Sequence, residues 1–159
     1  MTAWTEHLAR MGATLDETAR SIAFASPADE ARATETATIA VPLLQLGTIR
    51  SQGPDSAAFL HNLVSNDVKH MEADTAAWNS FNSPKGRMIA SFLVWTEEGG
   101  HALALSADIL PAFLKKFSMY VLRSKVKLAD ASAEVALIGL AGPQAVAIAS
   151  AALTSPPRK

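Results

Sequence analysis

The sequence predicts an α+β domain in which helices pack on a mixed, mainly antiparallel sheet. Three observations carry that expectation. Two segments place apolar residues at helical spacing, around Phe59 and around Phe113, and between them run extended apolar stretches at 76–81, 88–95 and 101–107. Turn residues separate those stretches, Pro84 and Gly86 in one place and EEGG in another. The resulting order, strand–helix–strand–strand–strand–helix–strand, lacks the regular βαβ alternation of a dinucleotide fold.

Each element has a local reason. Trp4, His7, Leu8 and Met11 recur at helical spacing, and Gly12 supplies a stop. Residues 25–38, ASPADEARATETAT, show no sustained apolar period and read as a polar linker, so residues 1–38 form a short helix plus linker and residues 39–159 the packed domain. VPLLQLGTIRSQG reads as extended chain, interrupted at Pro42 and ended by Gly53. Pro54 and Asp55 open a helix that Asp55 caps, with Phe59, Leu60, Leu63 and Val64 on its buried face. Met88–Trp95 is apolar on both faces and predicts a central strand covered on both sides. Asp108 caps a second helix, with Pro111 in its first turn and a stripe of Leu110, Phe113, Leu114 and Phe117. Extended segments follow at 121–128 and 133–140, and AGPQAVAIASAAL closes as a helix with Pro143 near its start.

Composition bounds the function. Apolar residues make up 49% and charged residues 18% of 159, enough for one sizeable core. A net charge of -1 argues against a surface built wholly for nucleic-acid backbones. With no cysteine, the chain has no disulfide, no thiolate metal site and no thiolate to hold an iron–sulfur cluster. No apolar run reaches the length of a membrane span, and the N-terminus lacks the apolar segment of a secretory signal, which predicts a cytoplasmic protein. His7, His61, His70 and His101 have no metal-ligand spacing, so no metal is expected. GxSxG, GxGxxG and GxxxxGKS/T are absent.

What remains is polar and local. Lys85, Gly86 and Arg87 in SPKGR form either a solvated hairpin turn or an anion clamp, since arginine binds carboxylate or phosphate through two parallel hydrogen bonds and lysine adds a point charge. Asn66 and Asp67, in NLVSNDV, either satisfy a helix end or reach a ligand. Arg123, Lys125 and Lys127 alternate onto one face if their segment is a strand, giving a charged edge or a second basic wall.

Taken in order, LGTIRSQGPDSAAFLHNLVSNDV, NSPKGRMIASFLVW, MYVLRSKVKLAD and LIGLAGP resemble the YgfZ/GcvT-like folate-binding family, relatives of the glycine-cleavage T-protein. The resemblance spans Leu46 to Pro143 and implies the family's N-terminal folate-binding fold. It also implies tetrahydrofolate or a related folate as ligand, with Lys85, Gly86, Arg87, Asn66, Asp67 and Arg123 as candidate contacts. Two departures accompany it. The acidic pair of the T-protein turn is replaced by Ala90 and Ser91, so no carboxylate is available there as base. The cysteine-bearing second half of the YgfZ branch is missing, so the chain resembles an N-terminal half, for which docking of a C-terminal half or self-association is expected. The function so implied is that of a non-catalytic accessory protein supporting maturation or repair of iron–sulfur enzymes, and through them tRNA modification, with iron–sulfur client or assembly proteins as partners and no direct contact with nucleic acid or membrane. The alternatives are a folate-dependent aminomethyl or one-carbon transferase, and an interaction domain that binds no small ligand.

Overall fold

The computed structural model describes residues 3–16 and 21–153; residues 1–2, 17–20 and the closing TSPPRK lie outside the described residues. Along the chain run α1 (Ala3–Arg10), β1 (Thr14–Asp16), β2 (Ser21–Ala23), α2 (Pro27–Thr36), β3 (Ile39–Pro42), β4 (Leu46–Gln52) and α3 (Ser56–His61). There follow β5 (Ala76–Asn82), β6 (Met88–Glu97), β7 (Gly100–Ser106), α4 (Leu110–Ser118), β8 (Lys127–Asp130), β9 (Ile138–Ala141) and α5 (Ala145–Ala152). The chain forms two compact units, one of residues 46–135 and one of residues 1–45 with 136–159.

The unit of residues 46–135 holds a five-stranded sheet in the order β5-β6-β7-β4-β8, antiparallel at every pairing. Strand parity explains which face becomes core. Phe81 on β5, Ala90, Phe92 and Val94 on β6, Leu103 and Leu105 on β7 and Ile49 on β4 are all buried, and they pack with Phe59 and Leu60 of α3 and Leu110, Phe113 and Phe117 of α4. The α4 stripe is therefore the one its spacing predicts. Five of the six phenylalanines meet there, with ring centroids 4.9 to 5.8 Å apart, so aromatic area dominates the cohesion of this small core.

Several local expectations are corrected. Asp55 stands at the N-cap of α3 but makes no capping bond; its carboxylate accepts the Lys125 N–H at 2.7 Å instead. Ile109, not Asp108, occupies the N-cap of α4, and it makes no side-chain capping bond. β6 is central, but only the Ala90–Phe92–Val94 face is buried; Ile89, Leu93 and Trp95 are half-buried and Met88 is exposed. Residues 121–126 form turns rather than strand, and only Lys127–Asp130 pairs with β4. In 133–140 the extended part shrinks to its end, within β9.

In the other unit β1 pairs with β2, β3 with β9, and α5 follows β9, all pairings antiparallel. The expected linker at 25–38 is instead mostly α2. Ser26 Oγ accepts the Asp29 N–H at 3.2 Å and bonds Asp29 Oδ2 at 2.7 Å, Pro27 stands in the first turn, and Glu30 Oε1 accepts the Phe24 N–H at 2.7 Å. Caps thus hold a helix that has no buried residue and no apolar stripe.

Candidate functional site

The bend between β5 and β6 is closed by three bonds. Gly86 N–H donates to the Ser83 carbonyl (2.9 Å), Ser83 N–H to the Arg87 carbonyl (2.8 Å), and Arg87 N–H to Ser83 Oγ (3.1 Å). Gly86 sits at φ +75, the left-handed region that a side chain resists, which is why glycine divides the two cations. Lys85 and Arg87 are exposed, and neither has an ion-pair partner among the described residues.

Asn66 and Asp67 lie after α3, on the outer edge of β5. Val64 bridges Phe81, Ser65 N–H donates to the Ser80 carbonyl and Ser80 N–H to Ser65 Oγ, both at 3.0 Å. Asn66 N–H donates to Asn79 Oδ1 at 2.8 Å, and its side-chain amide donates to the Trp78 carbonyl. These bonds occupy an edge that would otherwise present free backbone groups. Asp67 takes the His70 N–H at 3.1 Å and lies 2.7 Å from His70 Nδ1, with His61 Nδ1 3.1 Å away but not aligned for a hydrogen bond. His70, first through its ring and then through its backbone N–H, holds the Asp67 carboxyl down at about 2. Asn66 joins β5 at Asn79, four residues before Ser83, so at about 3.3 Å per residue the edge bonds and the cationic bend are some 13 Å apart. Arg123 lies in the turns between α4 and β8, and among the described residues no bond links it to the bend or to Asn66 and Asp67.

Parity also defines the second face of the sheet. Trp78 pairs with Leu93, Leu93 with Ala104 and Ala104 with Thr48; one row along, Trp95 pairs with Ala102 and Ala102 with Arg50. Ser80 pairs with Ser91 on the same face, one row nearer the cationic bend. Trp78 is 69% exposed, Ser91 is exposed, and Ser80, Leu93 and Trp95 are half-buried. Arg50 closes the far end of this face against Glu97 at 2.8 Å and Glu134, and Glu97 raises its pKa by hydrogen bond and charge. Ala90 and Ser91 part company here, Ala90 entering the phenylalanine core and Ser91 facing outward. The β5–β6 half of this face, with the bend at its end, offers aromatic and apolar surface, two hydroxyls and cations without an ion-pair partner among the described residues. Motif reading finds the cations but not Trp78, Ser80 or Leu93; their signal is the period-two offset from Asn79 and Phe81.

One other polar grouping is structural. Ser56 Oγ lies 2.8 Å from Ser51 Oγ, 2.8 Å from the Ser51 carbonyl and 2.9 Å from His101 Nδ1, all within the buried interior. Donating to the Ser51 carbonyl, Ser56 can accept from His101 Nδ1–H, and burial lowers the His101 pKa so the ring stays neutral. With Ser56 sealed from solvent, this is no nucleophile–base pair. Among the described residues no group of three or more His, Cys, Asp and Glu side chains can hold a metal ion, and no helix is long and apolar enough to cross a membrane.

Comparison with known proteins gives the family context. The chain is 35% identical over 104 residues to the iron–sulfur cluster assembly factor IBA57 homolog, mitochondrial, of Mycosarcoma maydis, covering 55% of this chain and 25% of that protein. It is 30% identical over 108 residues to the tRNA-modifying protein YgfZ of Vibrio vulnificus strain YJ016, covering 67% of this chain and 33% of that protein. The chain thus spans a quarter to a third of the length of these relatives. The fold matches the crystal structure of the glycine cleavage system aminomethyltransferase T from Bartonella henselae with a TM-score of 0.71 and 16% identity, over 94% of this chain and 42% of that one. The family model described as the GCVT N-terminal domain matches residues 3–156, and the chain belongs to that family.

Proposed function

We propose that this chain is a folate-binding module acting beside iron–sulfur proteins, with tRNA modification among the processes it supports. The observation that carries the proposal is the β5–β6 half of the second sheet face, where exposed Trp78 and half-buried Leu93 lead past Ser80 and Ser91 to the unpaired Lys85 and Arg87. A pterin is a flat ring system with a polar rim, which suits an indole face flanked by hydroxyls. A folate tail ends in carboxylates, which suit an arginine and a lysine that have no ion-pair partner among the described residues. Leu93 stands six residues from Arg87, about 20 Å at 3.3 Å per residue, a span that accommodates both ends of such a molecule. Tetrahydrofolate, when bound, carries the one-carbon unit; the residues of this chain bind and orient it. Asn66 contributes by fixing the β5 edge at Trp78 and Asn79, while Asp67 holds the following turn through His70. The iron–sulfur and tRNA context rests on the names borne by the IBA57 and YgfZ relatives.

A binding role is favoured over an aminomethyl transferase because Ala90 and Ser91, where the resemblance puts an acidic pair, offer no carboxylate to take a proton. The test is calorimetric titration of the chain with tetrahydrofolate in mono- and polyglutamate forms, beside Trp78→Ala and Lys85→Ala/Arg87→Ala variants. Saturable binding that weakens about tenfold or more in each variant is expected, the size of losing an aromatic platform or a charge-assisted pair. Binding indifferent to all three substitutions moves the ligand off this face. Absence of binding to the folded chain overturns the folate reading and leaves an interaction domain.

A further inference from the structure

The segment from the end of α4 to the start of β8 is charged unlike the rest of the molecule. Residues 109–129 hold Lys115, Lys116, Arg123, Lys125 and Lys127 and no acidic residue, in a chain whose net charge is -1. None of the five is ion-paired among the described residues. In their midst Met119 is 64% exposed, Tyr120 39% and Leu122 89%.

The exposure does not come from a slack loop. Tyr120 N–H donates to the Phe117 carbonyl (3.1 Å), Val121 N–H to Ser118 (3.2 Å), Ser124 N–H to Val121 (3.1 Å) and Val126 N–H to Ser124 (2.9 Å). Asp55 then takes the Lys125 N–H, and Gly53 lies so close that a Cβ there would meet the Lys125 carbonyl at 2.2 Å. At the other end the Tyr120 ring meets Phe81 edge-on, 5.5 Å between centroids. A turn pinned at both ends presents Leu122 and Met119 outward in a fixed arrangement, with cations on either side.

We propose that this loop is a docking knob for an acidic segment of another protein, with Leu122 as the apolar anchor and Arg123, Lys125 and Lys115 as the charged rim. Charge complementarity requires an anionic partner. Protruding leucine and methionine side chains are poor partners for a phosphate backbone, which argues against a nucleic acid as the occupant. Hydrogen-bonded preorganisation gives little advantage on a fluid lipid surface but lowers the ordering cost of docking into a folded or folding protein. The inference stands independently of any ligand on the sheet face.

Panning a random 16-residue peptide library displayed on phage against the purified chain, then measuring the enriched peptides by fluorescence anisotropy, tests it. Enrichment of peptides with several Asp or Glu around a large apolar residue is expected. Their affinity should fall about tenfold or more with Leu122→Ser and with Arg123→Glu/Lys125→Glu, and fall steeply with added salt. Leu122→Ser should leave the unfolding midpoint and any tetrahydrofolate binding of the chain unchanged, which separates loss of the knob from loss of the fold or of the sheet site. The proposal is overturned by enriched peptides without acidic bias, or by affinities indifferent to both variants. It is equally overturned by tighter binding to vesicles containing phosphatidylglycerol, or to a single-stranded oligonucleotide, than to any selected peptide.

Discussion

Gly53 and Gly86 allow strain and steric clash to be measured apart. Both have positive φ, +127 and +75, but their surroundings differ. A Cβ at Gly86 meets nothing within 4 Å, whereas at Gly53 it would lie 2.2 Å from the Lys125 carbonyl oxygen and 3.3 Å from Val126 Cα. Gly86→Ala therefore carries the backbone penalty alone, about 1 to 2 kcal/mol, offset by some 0.4 to 1 kcal/mol from a stiffer unfolded chain. Gly53→Ala carries a larger conformational penalty, since φ +127 lies outside the left-handed well, about 1 to 3 kcal/mol. It must also push the Lys125 backbone back by more than an ångström, which strains the Asp55–Lys125 bond and adds roughly 1 to 3 kcal/mol of overpacking. The expected costs are about 0 to 1.5 kcal/mol for Gly86→Ala and about 1 to 5.5 kcal/mol, centred near 3, for Gly53→Ala. Urea unfolding of the two variants beside the parent chain, followed by tryptophan fluorescence, measures both. Equal losses would refute the claim that the 120–126 turns are packed against Gly53, and with it the rigidity on which the docking knob depends.

Four further outcomes follow from the same structure. Phe117→Ala removes a fully buried ring that contacts Phe59, Phe81 and Phe113 and should cost about 3 to 5 kcal/mol in urea unfolding, enough to leave the unit marginal. Burial lowers the His101 pKa from its ordinary 6.5, so its contribution is present above 6.5 and is lost as pH falls below that value; the urea midpoint should drop as pH is lowered through 6.5, and His101→Asn should flatten that slope. Asp67 is depressed from 3.8 to about 2, so its contribution is present above 3.8 and lost as pH falls from there toward 2, and Asp67→Asn should remove that acid step from a pH titration of the midpoint. Ala90→Asp should abolish folding as judged by loss of a cooperative transition, whereas Ser91→Asp, on the exposed side of the same strand, should change stability by less than about 1 kcal/mol.

Part of the sheet is legible in the sequence because β5 and β6 carry Phe81 and Phe92 on the face that packs. The α4 stripe is legible because Leu110, Phe113, Leu114 and Phe117 repeat at helical spacing and are the residues that pack. What escapes is whatever depends on a distant partner or on a weak local signal. The Asp55 carboxylate is drawn from its helix cap by an N–H seventy positions along the chain, which no local pattern announces. Residues 25–38 look like a linker when judged by apolar period, yet Ser26, Pro27, Asp29 and Glu30 are a helix-start signature readable by its caps. Arg123, Lys125 and Lys127 all reach solvent, as alternation suggests, but the first two do so from hydrogen-bonded turns. Exposure alone thus does not identify a strand.

The candidate site shows the same division at the scale of one strand. Reading SPKGRMIAS as a motif treats Ala90 and Ser91 as one unit, the position of an acidic pair. The pleat does not allow them to act as one, because neighbours on β6 face opposite sides of the sheet. A carboxylate at 90 would sit in the interior beside Phe81, the residue paired with Ala90 across β5, where an unpaired charge is far costlier than an alanine methyl. Only position 91, paired with Ser80 and exposed, can present a polar group toward a ligand lying on the second face. Serine there can donate or accept a hydrogen bond but does not hold a proton-accepting charge at neutral pH. What this face presents is an aromatic and apolar platform, hydroxyls, and at its end two cations with no ion-pair partner among the described residues.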